Sequence, residues 1–290
     1  MEKDLEHRRA AWLLQTQGAE CLLAEIKKNP WLGRAADEHG STLLMRAIKG
    51  GKLSSAMLLI PLSDGWRQDQ DGWSALMLAA ERGCGECVRA LLPLSDTEAR
   101  NYAQMTALMH AARSGSEECV EILLTRANPM AVDRAGSSAL IYALGEGRVE
   151  CAKMLISVTN LSAQSIDGST ALMMAAARGL IVPLKMMLPR CDPNTADQRG
   201  WTALIHAAAQ GRRECVEALL PVSNTSLRAT YGEGSPFLTA AEMARDAHFM
   251  EVAALIEAFE AATVERRALG KAIKLTKNHI KAEGQGRLRL

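Results

Sequence analysis

Residues 71–93 read DGWSALMLAAERGCGECVRALLP, and residues 103–125 read AQMTALMHAARSGSEECVEILLT. Placed one above the other, they share a hydroxyl residue (Ser74, Thr106), then Ala-Leu-Met, an Ala pair, a Gly, Glu-Cys-Val and Leu-Leu. The hydroxyl position recurs every 32 residues, at Thr42, Ser74, Thr106, Ser138, Thr170 and Thr202. Glycine follows nine later in every unit, at Gly51, Gly83, Gly115, Gly147, Gly179 and Gly211. Paired apolar residues follow seventeen and eighteen later, from Leu59-Ile60 to Leu219-Leu220. So many coincident positions over six units make the chain an internal repeat. A seventh unit starts at Thr239, 37 residues after Thr202, so five residues are inserted before it, in a lengthened loop at 225–238. Upstream, Glu20-Cys21-Leu22-Leu23 resembles the second half of a unit, which predicts degenerate capping helices over 1–36.

Each unit can be read physically. A Ser or Thr before an apolar run is a helix N-cap, its hydroxyl accepting from an otherwise unpaired backbone N–H. Alanines one, five and six residues on give a slim first helix that lets its neighbours come close. The glycine suits a left-handed stop. Glu86, Glu118, Glu150 and Glu214 begin a second helix at its positive end. That helix has an apolar stripe of Cys, Val or Ala, and Leu. Pro61, Pro93, Pro189 and Pro221 stand where it ends. Neither short helix can hide its apolar side alone, so stability must come from stacking.

These landmarks resemble the ankyrin repeat, with its Thr-Pro-Leu-His start, Ala pair, Gly, Val-x-x-Leu-Leu and Asp/Asn loop. The resemblance covers seven units over 37–259 and implies an all-α solenoid of stacked helix-turn-helix units with β-turn fingers. Two departures stand out: the family's Pro is Ala (Ala75, Ala107, Ala171, Ala203), and its His is Met or Ile (Met45, Met77, Met109, Ile141, Met173, Ile205). The capping bond that the His would make is therefore expected to be absent. This Ala-Leu-Met variant resembles that of ankyrin-only proteins.

Composition narrows the function. The chain of 290 residues is 48% hydrophobic and 23% charged with a net charge of +1. It is therefore neither disordered nor basic along its length. No run of 18 apolar residues occurs, and Met1-Glu2-Lys3-Asp4 is not the start of a secretory signal. A cytoplasmic protein with reduced cysteines is expected. Phosphate-binding, dinucleotide, zinc-protease and serine-hydrolase motifs are missing, so no enzyme and no cofactor are expected. Gly232-Glu233-Gly234-Ser235-Pro236 reads as an extended finger. Cys87, Cys119, Cys151 and Cys215 share one offset. They read as buried small hydrophobes, separated by whole layers and unable to form one metal site. Cys84-Gly85-Glu86-Cys87 is a lone C-x-x-C, weak as zinc or redox motif. His110 and His206 read as packing residues between units.

Ankyrin arrays bind proteins, and the resemblance implies that contact lies on the concave face, at the finger tips and the exposed sides of the first helices. The residues so placed include Trp73, Arg82, Tyr102, Arg113, Arg178, Gln198, Arg199 and Trp201. Trp, Tyr and Arg are the side chains that dominate interface centres. Trp73 and Trp201 stand out, since a Trp on a finger tip is hard to justify by core packing; the competing reading is that each covers the neighbouring finger. The expectation is a monomeric, non-enzymatic scaffold or adaptor for protein partners.

The C-terminal end differs. Residues 260–290 carry Arg266, Arg267, Lys271, Lys274, Lys277, Lys281, Arg287 and Arg289 against three acids. Their apolar residues recur at roughly helical spacing. A basic amphipathic helix of this kind docks on a membrane or nucleic acid in the alternative reading, and otherwise caps the last repeat.

Overall fold

A computed structural model describes residues 2–16, 19–232 and 234–286, including their side chains except those at 2–5, 7, 272 and 274–286. The chain divides into two compact units, Met1–Cys191 and Asp192–Leu290. Helices and single isolated bridges make up its regular structure, and no strand is found among the described residues.

In the first unit, α1 (Glu2–Thr16) and α2 (Ala19–Lys28) form a pair, followed by α3 (Leu43–Lys49) with α4 (Leu53–Leu59) and α5 (Ala75–Glu81) with α6 (Gly85–Leu91). The pairs α7 (Ala107–Ser114) with α8 (Glu117–Leu124), α9 (Ala139–Gly145) with α10 (Val149–Ile156), and α11 (Ala171–Arg178) with α12 (Ile181–Met187) complete it. First helices stack in one row, α1 on α3, α3 on α5, and so on to α11, while second helices stack from α2 to α12 in another. The second unit repeats the scheme with α13 (Ala203–Ala209) on α15 (Ala240–Asp246), and α14 (Arg213–Leu219) against α16 (Met250–Gly286).

The caps form as the sequence requires, with one exception. Thr42, Ser74, Ser138, Thr170 and Thr202 each accept from the backbone N–H three residues on, whereas Thr106 makes no such bond. The missing family His is partly replaced. The Met173 sulfur accepts from the Thr170 N–H at 3.4 Å. That closes a reciprocal cap and corrects the expectation that no such bond forms. Thr239 has a full capping box with Glu242. The glycine nine residues past each cap adopts a positive φ in all six regular units, from 65° at Gly211 to 85° at Gly115. A side chain at these positions would be strained.

The core is what the slim helices trap. Ala79, Ala80, Ala111, Ala112, Ala207 and Ala208 are fully buried, and so are Val120, Leu123, Leu155 and Leu219. Cys87, Cys119, Cys151 and Cys215 are at most 1% exposed and sit in the same stripe, as small hydrophobes would. Helix α16 has two parts. Its start is the second helix of the seventh repeat, with Val252, Ala253 and Ile256 buried. Its continuation runs unbroken past Phe259 to Gly286, and there Val264, Leu269 and Ile273 are 64%, 63% and 49% exposed.

Candidate partner-binding face

Between the helix pairs the chain turns through fingers, and their tips are built on one side chain. The residue five before the cap is Asp37, Asp69, Asn101, Asp133 or Asp197, and its Oδ1 accepts from the N–H groups two and four residues on, at 2.8–3.0 Å. In the fifth repeat Ser165 holds that place, and Asp167 accepts the Ser169 N–H at 3.2 Å instead. Such Asx turns hold the tip without help from a sheet.

Neighbouring fingers of the first unit are tied by a backbone ladder. The N–H groups of Gln70, Tyr102, Arg134 and Ile166 donate to the carbonyls of His39, Asp71, Ala103 and Ala135, at 2.9–3.1 Å. In the second unit Thr230 donates to Arg199 at 3.1 Å. Its lengthened finger is closed by a bridge between Ala229 and Leu238, where regular fingers bridge residues six apart; Glu233 lies outside the described residues.

The ladder fixes which side chains reach the tips. Tyr102 and Ile166 are both 68% exposed there. Trp73 is not a tip residue: its N–H is bound by Asp69 Oδ1, which places it at the base of the finger, half-buried. Its ring rests on His110 of the next repeat, with centroids 4.3 Å apart. Trp201 sits at the equivalent base, on His206 at 4.9 Å and edge-on to Tyr231 at 5.5 Å, and its Nε1 donates to the Thr230 carbonyl at 2.8 Å. The competing expectation is that each Trp covers the neighbouring finger: Trp201 does so through Thr230 and Tyr231, whereas Trp73 covers α7 of the next repeat.

In four of the six regular repeats a second relationship joins the finger to its own first helix across nine residues. Arg46 donates to Asp37, Asn101 meets His110 Nε2 at 3.2 Å, and Tyr142 donates to Asp133 Oδ2 at 2.6 Å. In the second unit His206 Nε2 stands 3.8 Å from Asp197 Oδ2. In the second and fifth repeats the helix position holds Leu78 and Met174, which have no polar group to make such a bond. These couplings shift titrations. Partial burial raises the Asp37 carboxyl, but the Arg46 bond and the N–H groups of Ser41 and His39 outweigh it, so the net shift is downward. Burial first, then the bond to Asp133, pushes Tyr142 up to about 12. Burial and the Arg113 charge push His110 down to about 3, so it is a neutral packing residue.

The other candidates are spread along this face. Arg113 is held by Glu81 of the preceding first helix at 2.8 Å and approaches His110 Nδ1 at 3.4 Å, which links it to Trp73. Arg82 and Arg178 are exposed at the ends of their helices, and in the second unit Gln198 and Arg199 are exposed at a finger tip. On α16, Arg266, Arg267 and Lys271 are exposed, while the side chains of Lys274, Lys277 and Lys281 lie outside the described set. Sequence reasoning missed Asn101, Asp133 and Tyr142; the Asp or Asn nine residues before a polar helix position was the available signal. Among the described residues no group of three or more His, Cys, Asp or Glu is placed to hold a metal ion, and no helix is long and apolar enough to cross a membrane.

Paired helices stacked in two rows, with finger loops joined by a backbone ladder, define an all-α solenoid of the ankyrin type. The family model for ankyrin repeats (3 copies) matches residues 9–102, 94–165 and 157–231, and the chain belongs to the ankyrin-repeat family. That match takes in the second half of α1 and all of α2. Ankyrin repeats generally mediate protein–protein interaction. The crystal structure of the ankyrin repeat domain of Bcl-3, a unique member of the IkappaB protein family, matches with a TM-score of 0.60 and 22% identity, over 74% of this chain and 99% of that one. That likeness concerns the fold. Among curated proteins no sequence matches this chain.

Proposed function

We propose that the protein is a non-enzymatic scaffold or adaptor that holds a protein partner against its finger tips and first helices. One observation carries this reading: the tips are fixed by the backbone ladder while Tyr102 and Ile166 stand 68% exposed on them. A face ordered before binding loses little conformational entropy on association, and a rigid aromatic side chain adds large contact area at low entropic cost. Arg82 and Arg178, exposed beside the tips, supply the charged rim, and Gln198 and Arg199 offer a further contact in the second unit. Trp73, Trp201 and Arg113 act mainly by holding the face in shape.

Cross-linking of the full chain to a partner captured with it, followed by peptide mass spectrometry, tests this reading. Cross-links at residues 38–49, 70–82, 102–113 and 166–178 are the expected result. Cross-links confined to the second helices or to α16 would contradict it.

A second reading rests on α16, where Val264, Leu269 and Ile273 are exposed beside Arg266, Arg267 and Lys271. On that reading the helix attaches the protein to an anionic membrane or nucleic acid, and truncation after Phe259 abolishes attachment and its steep salt dependence. Attachment that survives truncation would remove it.

A further inference from the structure

The second regular repeat carries two cysteines where the other repeats carry at most one. Cys84 is the N-cap of α6 and Cys87 is the third residue of that helix. The equivalent pairs are Lys52/Ser55, Ser116/Cys119, Arg148/Cys151, Leu180/Pro183 and Arg212/Cys215. Cys84 takes the part of a capping serine: its Sγ accepts the Cys87 N–H at 3.4 Å, as Ser116 Oγ accepts the Cys119 N–H at 3.3 Å. This fold of the side chain over the first turn sets the Cys84 sulfur against the backbone of Cys87, and both cysteines line one pocket.

The two thiols differ in access: both line a pocket of about 290 Å³, but Cys87 is 1% exposed whereas Cys84 is partly exposed. Lys52 and Arg82 line the same pocket, with Ile48, Leu53 and Ala56 as its apolar wall. A small pocket with a thiol and two cations suits a compact anionic molecule that reacts with sulfur. Residues one turn apart on a helix have Cβ atoms about 5–6 Å apart, and a disulfide needs about 3.5–4.5 Å. Cys84 is not bound to that helical spacing, because as the N-cap it has non-helical backbone angles (φ −85°, ψ 87°) and its sulfur already lies over the first turn.

We propose that Cys84 and Cys87 form a dithiol site that a small carboxylate-bearing disulfide of the glutathione type oxidises to an intramolecular disulfide, with Cys84 as the attacking sulfur. Cys84 loses its proton to solvent and its thiolate attacks one sulfur of the small disulfide, expelling one thiolate, which takes up a proton. Cys87 then gives its proton to solvent and attacks the Cys84 sulfur, expelling the second small thiolate, which is protonated in turn. Two protein thiols are oxidised to one disulfide, and the small disulfide is reduced to two thiols. Burial first, then the neighbouring Cys84, pushes the Cys87 thiol up to about 12. This fits its place as the resolving rather than the attacking group.

The test uses the full chain with oxidised glutathione, blocking of remaining thiols by alkylation, and peptide mass spectrometry. The wild type is expected to give a peptide containing residues 84 and 87 that is lighter by two hydrogens and unalkylated. Cys87→Ser is expected to accumulate a glutathione adduct on Cys84, and Cys84→Ser to leave Cys87 reduced. Both variants have internal precedents, Ser55 and Ser116, so the fold is retained, which circular dichroism verifies. Cys84 remaining reduced while the exposed Cys21 reacts would overturn the proposal. So would a lasting adduct on Cys84 in the wild type, or a disulfide from Cys84 to Cys119.

Discussion

Tyr142 in helix α9 reaches back nine residues and donates its phenol proton to Asp133 Oδ2 at 2.6 Å, while the other oxygen of the same carboxylate holds the finger tip through the N–H groups of Ala135 and Ser137. One carboxylate thus joins a finger to its own helix. Tyr142→Phe removes the donor and leaves the tip bonds in place. A loss of about 1.5 to 3 kcal/mol is expected in urea unfolding, the scale of a hydrogen bond to a charged group. An unchanged midpoint would show that the link contributes nothing.

His110 gives the array a pH dependence. It is 1% exposed, between Trp73, Asn101 and Arg113, with Glu81 paired to that Arg113. Its folded value of about 3 lies below the unfolded value of 6.5. The unfolded chain therefore binds the extra proton between these values. The stability contributed by neutral His110 is complete above about pH 6.5 and declines as pH falls toward 3, at up to about 1.4 kcal/mol per pH unit. His110→Leu, which copies Leu78 of the preceding repeat, is expected to flatten the difference between urea midpoints at pH 7 and pH 5, whatever it does to the midpoint at pH 7. Equal slopes in both proteins would refute the assignment.

Two glycines separate backbone strain from crowding. Gly51 has φ +69° with nothing within 4 Å of an added Cβ, whereas Gly72 has φ +79° and a Cβ there would lie 2.8 Å from Asn101 Cα of the next finger. Gly51→Ala is expected to cost about 1–2 kcal/mol, the left-handed penalty alone. Gly72→Ala must also push the fingers apart and break the Tyr102-to-Asp71 bond, so it should cost clearly more. Urea unfolding of the pair checks this, and equal costs would mean that the finger gap can widen freely.

Trp73→Ala is not a clean probe of binding, contrary to what its residue type suggests. The ring lies on His110, so truncation is expected to lower the melting temperature. The Tyr102 side chain, by contrast, stands 68% exposed. Tyr102→Ala is expected to leave stability unchanged within about 0.5 kcal/mol, as for a surface substitution. If Trp73→Ala melts like the wild type, the stack carries no stability.

Much of the fold was legible because a solenoid writes its geometry once per repeat. The N-cap hydroxyls, the glycines at positive φ and the buried Cys-Val-Leu stripe each follow from a local rule, repeated until it is unmistakable. The face was less legible, because its residues are placed by relations between repeats. Nothing local says that Trp73 turns onto His110 of the following helix. The silent cap at Thr106 and the added Met173 sulfur at Thr170 share one sequence pattern with the other hydroxyl caps, and only the placed side chains distinguish them. The finger tips could be placed from the period, but which tip side chains stand clear depended on the ladder.

The most direct measurement is calorimetric binding of a purified partner to the full chain and to its Tyr102→Ala/Ile166→Ala double variant, with melting temperatures recorded for both. If the fingers are the working surface, the double variant binds at least tenfold more weakly, equivalent to about 1.4 kcal/mol, with melting unchanged. Equal affinities for the two proteins would contradict it.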